Sequence, residues 1–248
     1  MRPVTIVTGG SRGIGAATAL RLAEAGHDLG ISYRQDSTAA TRTKDAVERA
    51  GARCVAVRAD TASEDDVDRL FDTVADELGA VTGLVNNAGV TSPLGRLVDV
   101  RIEDLRRVVD VNVVGALLCA RRAADVMSTR SGGGGGAIVN VSSAAATLGS
   151  PNQYVHYAAS KAAVDALTVG LSKELAPDGI RVNAVSPGII RTEIHAISGD
   201  PERPEKLAGQ IPLGRPGEPS EIAGAIAWLL SPEASYTTGA VLRVAGGL

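Results

Sequence analysis

Only two cysteines, Cys54 and Cys119, occur in the 248 residues, far apart and outside any partnering motif. A disulfide framework and a thiolate zinc site are excluded, no metal is expected, and a reducing, cytoplasmic setting is. Charge of one sign is also missing: 25 Lys and Arg against 28 Asp and Glu leave a net charge of -3. Such a chain has no global attraction for nucleic acid or anionic lipid, so any basic site is local and the ligand is expected to be small. There is no apolar run of spanning length, and the opening "MRPVTIVTGGSRGIG" begins strand-like and breaks at glycines, unlike a signal peptide. Neither a repeat nor an interdomain linker divides the chain, so a single domain over residues 1–248 is expected.

What is present is alternation. Short β-rich runs at 4–8, 28–33, 53–58, 83–86, 137–142, 181–186 and 240–244 are separated by amphipathic stretches at 13–25, 38–50, 63–78, 102–127, 154–176 and 219–230. Strand, helix, strand in this order predicts an α/β fold: a doubly wound, mostly parallel, seven-stranded sheet with helices on both faces and ligands at the strand C-terminal ends. The tract Gly132 to Gly136 reads as a flexible connection before a strand. The long irregular segment between Pro187 and Pro219 reads as either a lid, at about 188–218, or a decorative insertion.

Three places carry chemistry. In "TIVTGGSRGIG", Gly9, Gly13 and Gly15 cross the first strand-to-helix turn, spaced more widely than G-x-G-x-x-G. Glycines let backbone approach a pyrophosphate whose charge meets the helix N-terminus, although a tight turn alone would also use them. "LVNNAG" ends the fourth strand, where asparagine amides either fix loops around an adenosine or form an Asx-turn; Asp60 either accepts from an adenine amino group or begins a turn. In "YVHYAASK", Tyr157 and Lys161 lie four apart on one helix face, and a nearby ammonium would favour the phenolate. Ser142 and Ser143 close an apolar strand, and Asn112 interrupts an apolar helix, where its amide either satisfies backbone or holds a water.

With "TGGSRGIG", "NNAG", "VNVVG", "VNVSS", "YAASK", "NAVSPGIIRTE" and "TTGAVLRVAGG" in this order, nearly the whole chain resembles the short-chain dehydrogenase/reductase family. The resemblance implies an NAD(P)-dependent oxidoreductase acting on a small carbonyl or alcohol substrate through Asn112, Ser143, Tyr157 and Lys161, and a homo-oligomer, tetramer or dimer. In the family thirteen residues commonly separate serine from tyrosine; here Ser143 stands fourteen before Tyr157. An insertion within "GSPNQYVHY" restores Ser143, and Ser142 is set aside because neighbouring strand residues face opposite ways. Tyr154 and His156 are pocket-wall, interface or packing residues, His156 without an identified partner.

The same resemblance implies cofactor contacts from Gly9, Ser11, Arg12, Gly13, Ile14 and Gly15 at the phosphates. At the adenosine end it implies Tyr33, Arg34, Asp60 and Thr61, then Asn87, Ala88 and Gly89. Around the nicotinamide it implies Tyr157, Lys161, Pro187, Gly188, Ile189, Ile190 and Thr192. Asn112 would hold a water linking Lys161 to solvent. The second strand ends on Tyr33, followed by Arg34, so Arg34 and Arg12 favour a 2′-phosphate and NADP(H); a longer strand reaching Asp36 would favour NAD(H). The substrate pocket would draw on 91–94, Ala144, Ala145, Tyr154 and the 189–211 segment. A noncatalytic nucleotide-sensing or scaffolding module on the same fold is the alternative function.

Overall fold

The computed structural model describes residues 2–248. Its strands are β1 Val4–Val7, β2 Asp28–Tyr33, β3 Cys54–Arg58, β4 Val81–Asn86, β5 Gly136–Val141, β6 Ile180–Pro187 and β7 Val241–Val244. They form one sheet of order β3-β2-β1-β4-β5-β6-β7, parallel at every pairing. Parallel neighbours require crossovers. The α-helices are α1 Gly13–Glu24, α2 Ser37–Arg49, α3 Glu64–Leu78, α4 Ile102–Val109, α5 Gly115–Met127, α6 Ala145–Leu148, α7 Val155–Glu174, α8 Ile194–Ile197, α9 Arg203–Lys206 and α10 Pro219–Leu230.

The pleat divides the core into two layers. Val7, Val139 and Val185 face Leu22 of α1, Val47 of α2 and Ile226 of α10, whereas Ile6, Leu84 and Ile138 face Phe71 of α3 and Met127 of α5. Strand order reverses between β1 and β4, and the ends of those strands therefore diverge into a crevice. Cys54 and Cys119 are buried within these layers, and burial pushes both thiols up to about 12. No helix among the described residues is long and apolar enough to cross a membrane.

The expected helix over 102–127 is not continuous. A π-helical turn at Asp110–Val114 separates α4 from α5. Gly115 then lets the backbone close on β3's following loop, since a Cβ there would stand 2.9 Å from Thr61 Oγ1. The glycine tract is also not the loose connection its composition suggests: Gly136 opens β5, and a Cβ on it would meet the Thr82 carbonyl oxygen at 2.2 Å. The 188–218 segment carries local structure that its Pro and Gly content conceals. Its neck is closed by Arg191 N–H donating to Gly217 O at 3.0 Å and Gly217 N–H donating to Ile189 O at 2.9 Å, with α8 and α9 beyond.

Candidate active site

A cleft of about 370 Å³ runs along the crevice, with the glycine turn at one end and Ser143, Tyr157 and Lys161 at the other. At the first end the turn after β1 places Gly9 at φ 63° and Gly13 at φ 53°, the left-handed region that favours glycine. Gly9, Ser11, Arg12, Gly13 and Ile14 line the cleft. Gly15 does not; it seats α1, because a Cβ there would lie 2.3 Å from Gly9 O and 2.5 Å from Asn87 Nδ2. Arg12 occupies the N-cap of α1 without a side-chain cap bond. An α-helix start carries backbone N–H groups without intrahelical partners and partial positive charge, the setting an anion uses.

Asn87 ties this turn to the end of β4. Its Nδ2 donates to Thr8 O at 2.8 Å and Gly9 O at 3.1 Å, while Thr8 Oγ1 accepts from Asn87 and Ala88 N–H, both at 3.0 Å. The amide thus braces the loop after β1. Gly9 N–H donates to Ser32 Oγ at 3.1 Å. Asn86 is buried and donates to Asn140 Oδ1 at 3.0 Å, and Asn140 donates on to Thr168 Oγ1 at 2.9 Å. Sequence reasoning missed Thr8, Ser32 and Asn140; the signal was a polar residue inside or directly after each apolar strand, which needs a buried partner.

Farther along, Tyr33, Arg34, Asp60, Thr61, Ala88 and Gly89 line the cleft. β2 ends at Tyr33 and does not reach Asp36, which instead caps α2, its Oδ1 accepting from Ala39 N–H at 2.8 Å. Asp60 begins a turn through Ala62 N–H at 3.1 Å and also holds Arg34, with Nε 2.9 Å from its Oδ2. Arg107 and Val111 complete this wall, and neither was expected from sequence.

At the chemical end, Ser143, Tyr157 and Lys161 meet. Ser143 Oγ accepts from Ala145 N–H at 3.2 Å, and the side chain lines the cleft together with Tyr157. Ser142 turns elsewhere, donating to Lys161 O at 3.3 Å. Both serines follow β5, which ends at Val141, so strand alternation is not what separates them; their partners are. In the loop between Ser143 and Tyr157, Ser150 and Asn152 are left-handed, at φ 44° and 59°. Lys161 is 4 % exposed, donates to Val141 O at 2.7 Å and stands 5.8 Å from the centre of the Tyr157 ring.

The protonation balance differs from the sequence expectation. Burial lowers Lys161 to about 8, against an opposing pull from Asp165. For Tyr157 desolvation is the largest influence and raises it well above the usual phenol range, Tyr154 raises it further, and Ser143 opposes them. Desolvation thus works against the phenolate that the neighbouring lysine was expected to favour.

Asn112 lies behind the cleft rather than in its wall. Its Oδ1 accepts from Val90 N–H at 2.8 Å, and its Nδ2 donates to Val90 O at 2.9 Å and Ser160 Oγ at 3.0 Å. The amide therefore satisfies backbone, and its side chain is committed to the loop after β4 rather than offered to a water. Pro187, Gly188, Ile190 and Thr192 border the site, whereas Ile189 does not. Thr91, Tyr154, Ile194, His195 and Ile197 enclose the remaining space. Ala144 and Ala145, expected there, are buried outside its lining. His156 does have a partner: its Nε2 lies 2.8 Å from Ser92 Oγ, away from the cleft.

Comparison with known proteins agrees with this geometry. A family model described as Enoyl-(Acyl carrier protein) reductase matches residues 9–248. An uncharacterized oxidoreductase, YgfF, of Escherichia coli (strain K12) is 46% identical over 98% of this chain and 99% of its own. A 3-oxoacyl-[acyl-carrier-protein] reductase of Synechocystis is 40% identical over 99% of this chain and 96% of its own. The crystal structure of a short-chain dehydrogenase from Burkholderia cenocepacia J2315 in complex with NADP superposes with a TM-score of 0.90 at 33% identity, covering 99% of this chain and 97% of that one. Likeness on this scale, through both helix layers and the crevice between them, makes the protein an oxidoreductase acting between carbonyl and CH–OH groups. The chain belongs to the short-chain dehydrogenase/reductase family.

Proposed function

We propose that the protein transfers hydride between NADP(H) and a carbonyl or secondary alcohol substrate, with Tyr157 as general acid/base. The observation that carries this reading is the convergence of Ser143, Tyr157 and buried Lys161, whose Nζ stands 5.8 Å from the Tyr157 ring centre, in a cleft continuous with the glycine turn. The residues present fit a dinucleotide. Gly9 and Gly13 leave room for close backbone approach at the start of α1. Bound along this cleft, the nicotinamide supplies or accepts the hydride.

The protein's own groups do the rest. Ser143 donates a hydrogen bond to the substrate oxygen and polarises it as alkoxide character grows. Tyr157, its ionisation opposed by burial, gives that oxygen its proton in reduction and takes it back in oxidation. The Lys161 ammonium contributes positive charge beneath the tyrosine and hydrogen bonds to ribose hydroxyls. Asn112 keeps the Val90 loop in place. Thr192, Pro187 and Gly188 orient the nicotinamide end, and the lid over 188–218 excludes water from the reacting atoms.

Arg12 and Arg34 support NADP(H). β2 stops before Asp36, whose Oδ1 accepts from Ala39 N–H where it borders the cleft, and Arg12 makes no ion pair among the described residues. Fluorescence titration with NADPH and, separately, NADH tests the proposal: tighter NADPH binding is expected, and binding of neither sinks it. Arg34→Ala is expected to weaken NADPH about tenfold, a charge-assisted hydrogen bond's worth, with little change for NADH. Equal losses for both would remove Arg34 from 2′-phosphate recognition.

The lowered Lys161 sets a pH dependence. Below about 8 the lysine carries its charge, and above it the charge is lost, while Tyr157 stays protonated because its own shift is upward. In the reduction direction kcat/KM is therefore expected to be flat in mildly acidic solution and to fall as pH rises through about 8. A profile still flat at about pH 10 would separate Lys161 ionisation from turnover. Self-association is part of the same proposal: Leu97, Val98, Ile102, Val114 and Leu117 are exposed along α4, α5 and the turn preceding them. Sedimentation is expected to show a dimer or tetramer.

A further inference from the structure

A guanidinium is buried where the lid meets the substrate end of the cleft. Arg203 opens α9, is 9 % exposed, and makes no ion pair among the described residues. One terminal nitrogen donates to Gln153 Oε1 at 2.5 Å and lies 3.4 Å from Tyr154 Oη, and the guanidinium carbon stands 5.4 Å from the centre of the Tyr154 ring. Removing such a group from water without a carboxylate is costly, and an amide oxygen with an aromatic face only partly offsets this. The cost falls on a lid segment outside both core layers, where folding alone does not require a buried cation.

The loop it holds is itself unusual. Left-handed Ser150 and Asn152 persist only where surrounding contacts over-determine the backbone. Gln153 O accepts from Gly95 N–H at 2.8 Å, and Leu94 N–H donates to Ser198 O at 3.2 Å, so three segments around the substrate space are stitched together. Tyr154, gripped by Arg203, presents its ring nearly perpendicular to that of Tyr157, with centres 5.3 Å apart.

We infer that Arg203 is a positioning residue of the reaction: reaching from the lid, it fixes the Tyr154 ring against Tyr157 and so sets where a carbonyl substrate meets the acid. The inference rests on the reductase reading above. Planarity matters, because one guanidinium both stacks on a ring and hydrogen-bonds beyond its edge. Without it Tyr154 is free to rotate and the lid loses its anchor on the 150–153 loop.

The test compares wild type, Arg203→Met, Tyr154→Leu and the double variant, using 9,10-phenanthrenequinone as carbonyl probe, NADPH titration as a separate measurement, and amide hydrogen exchange. Each single variant is expected to lower kcat/KM about tenfold or more, chiefly through KM, with NADPH affinity within about twofold of wild type. The double variant is expected to be no worse than the weaker single, because both act through one ring. Exchange in residues 91–95 and 194–206 should rise about tenfold in Arg203→Met. Additive losses, or unchanged exchange, would overturn the inference. If Arg203→Met does not fold, Gln153→Ala carries the exchange measurement with the same expectation. Wild type that binds no NADPH would defeat the reductase reading, whereas the exchange comparison still decides whether Arg203 anchors these segments; a wild type that binds NADPH but shows no rise on substitution defeats the positioning role alone.

Discussion

Tyr157→Phe is expected to lower kcat for carbonyl reduction by about a thousandfold while leaving NADPH affinity within about twofold, since a positioned proton donor commonly contributes that much to rate. The substitution removes one oxygen from a half-buried ring whose edge contact with Tyr154 remains available. Ser143 would still meet the substrate oxygen, so residual hydride transfer is expected, with the proton coming from water. Ser143→Ala should cost less than Tyr157→Phe, because it loses polarisation of the oxygen but keeps the acid. Steady-state rates together with the cofactor titration decide the matter. Near-normal turnover in Tyr157→Phe would place proton transfer on another group.

Gly15→Ala should act at the other end of the cleft, and through sterics alone. The new methyl would stand 2.3 Å from the Gly9 carbonyl oxygen and 2.5 Å from the Asn87 amide. Neither neighbour can yield cheaply. Gly9 is held by Ser32, and Asn87 is bonded at both its backbone and its side chain to the β1 turn. The start of α1 must therefore move away from the turn, separating its free N–H groups from the Gly9 backbone. NADPH affinity is expected to fall about a hundredfold, roughly 3 kcal/mol, with a lower melting temperature as well. Wild-type affinity in this variant would mean that the turn does not cradle the phosphates.

What the sequence disclosed, and what it concealed, follow from the range of the interactions involved. The glycine turn, the end of β2 at Tyr33 and the Tyr157–Lys161 face depend on neighbours within a few positions, and local periodicity or φ preference expresses them directly. The fold class followed from the same alternation. The π-helical turn was hidden because one added residue barely disturbs the apolar rhythm of "LRRVVDVNVVGALLCA", and the Asn112 bonds to Val90 within it span the gap between a helix and the loop after β4. Likewise, Arg34 meeting Asp60, His156 meeting Ser92 and Arg203 meeting Tyr154 are tertiary pairings with no mark in either partner's surroundings. The reason for preferring Ser143 over Ser142, strand alternation, does not apply, since both lie beyond the strand. Tyr157 shows the limit most clearly: spacing revealed its cation, but the desolvation that opposes its ionisation depends on tertiary packing.

The two interior cysteines have a practical consequence. Cys54 is 5 % exposed and Cys119 is fully enclosed, each with its thiol raised to about 12, so neither presents a thiolate to a maleimide or a spin label at neutral pH. The native chain is in effect a silent background for site-directed labelling. A single cysteine placed at an exposed lid position such as Ala196 or Gly209 would carry the only reactive sulfur among the described residues. Distance and mobility of that segment could then be followed by fluorescence or paramagnetic resonance in an otherwise unaltered protein.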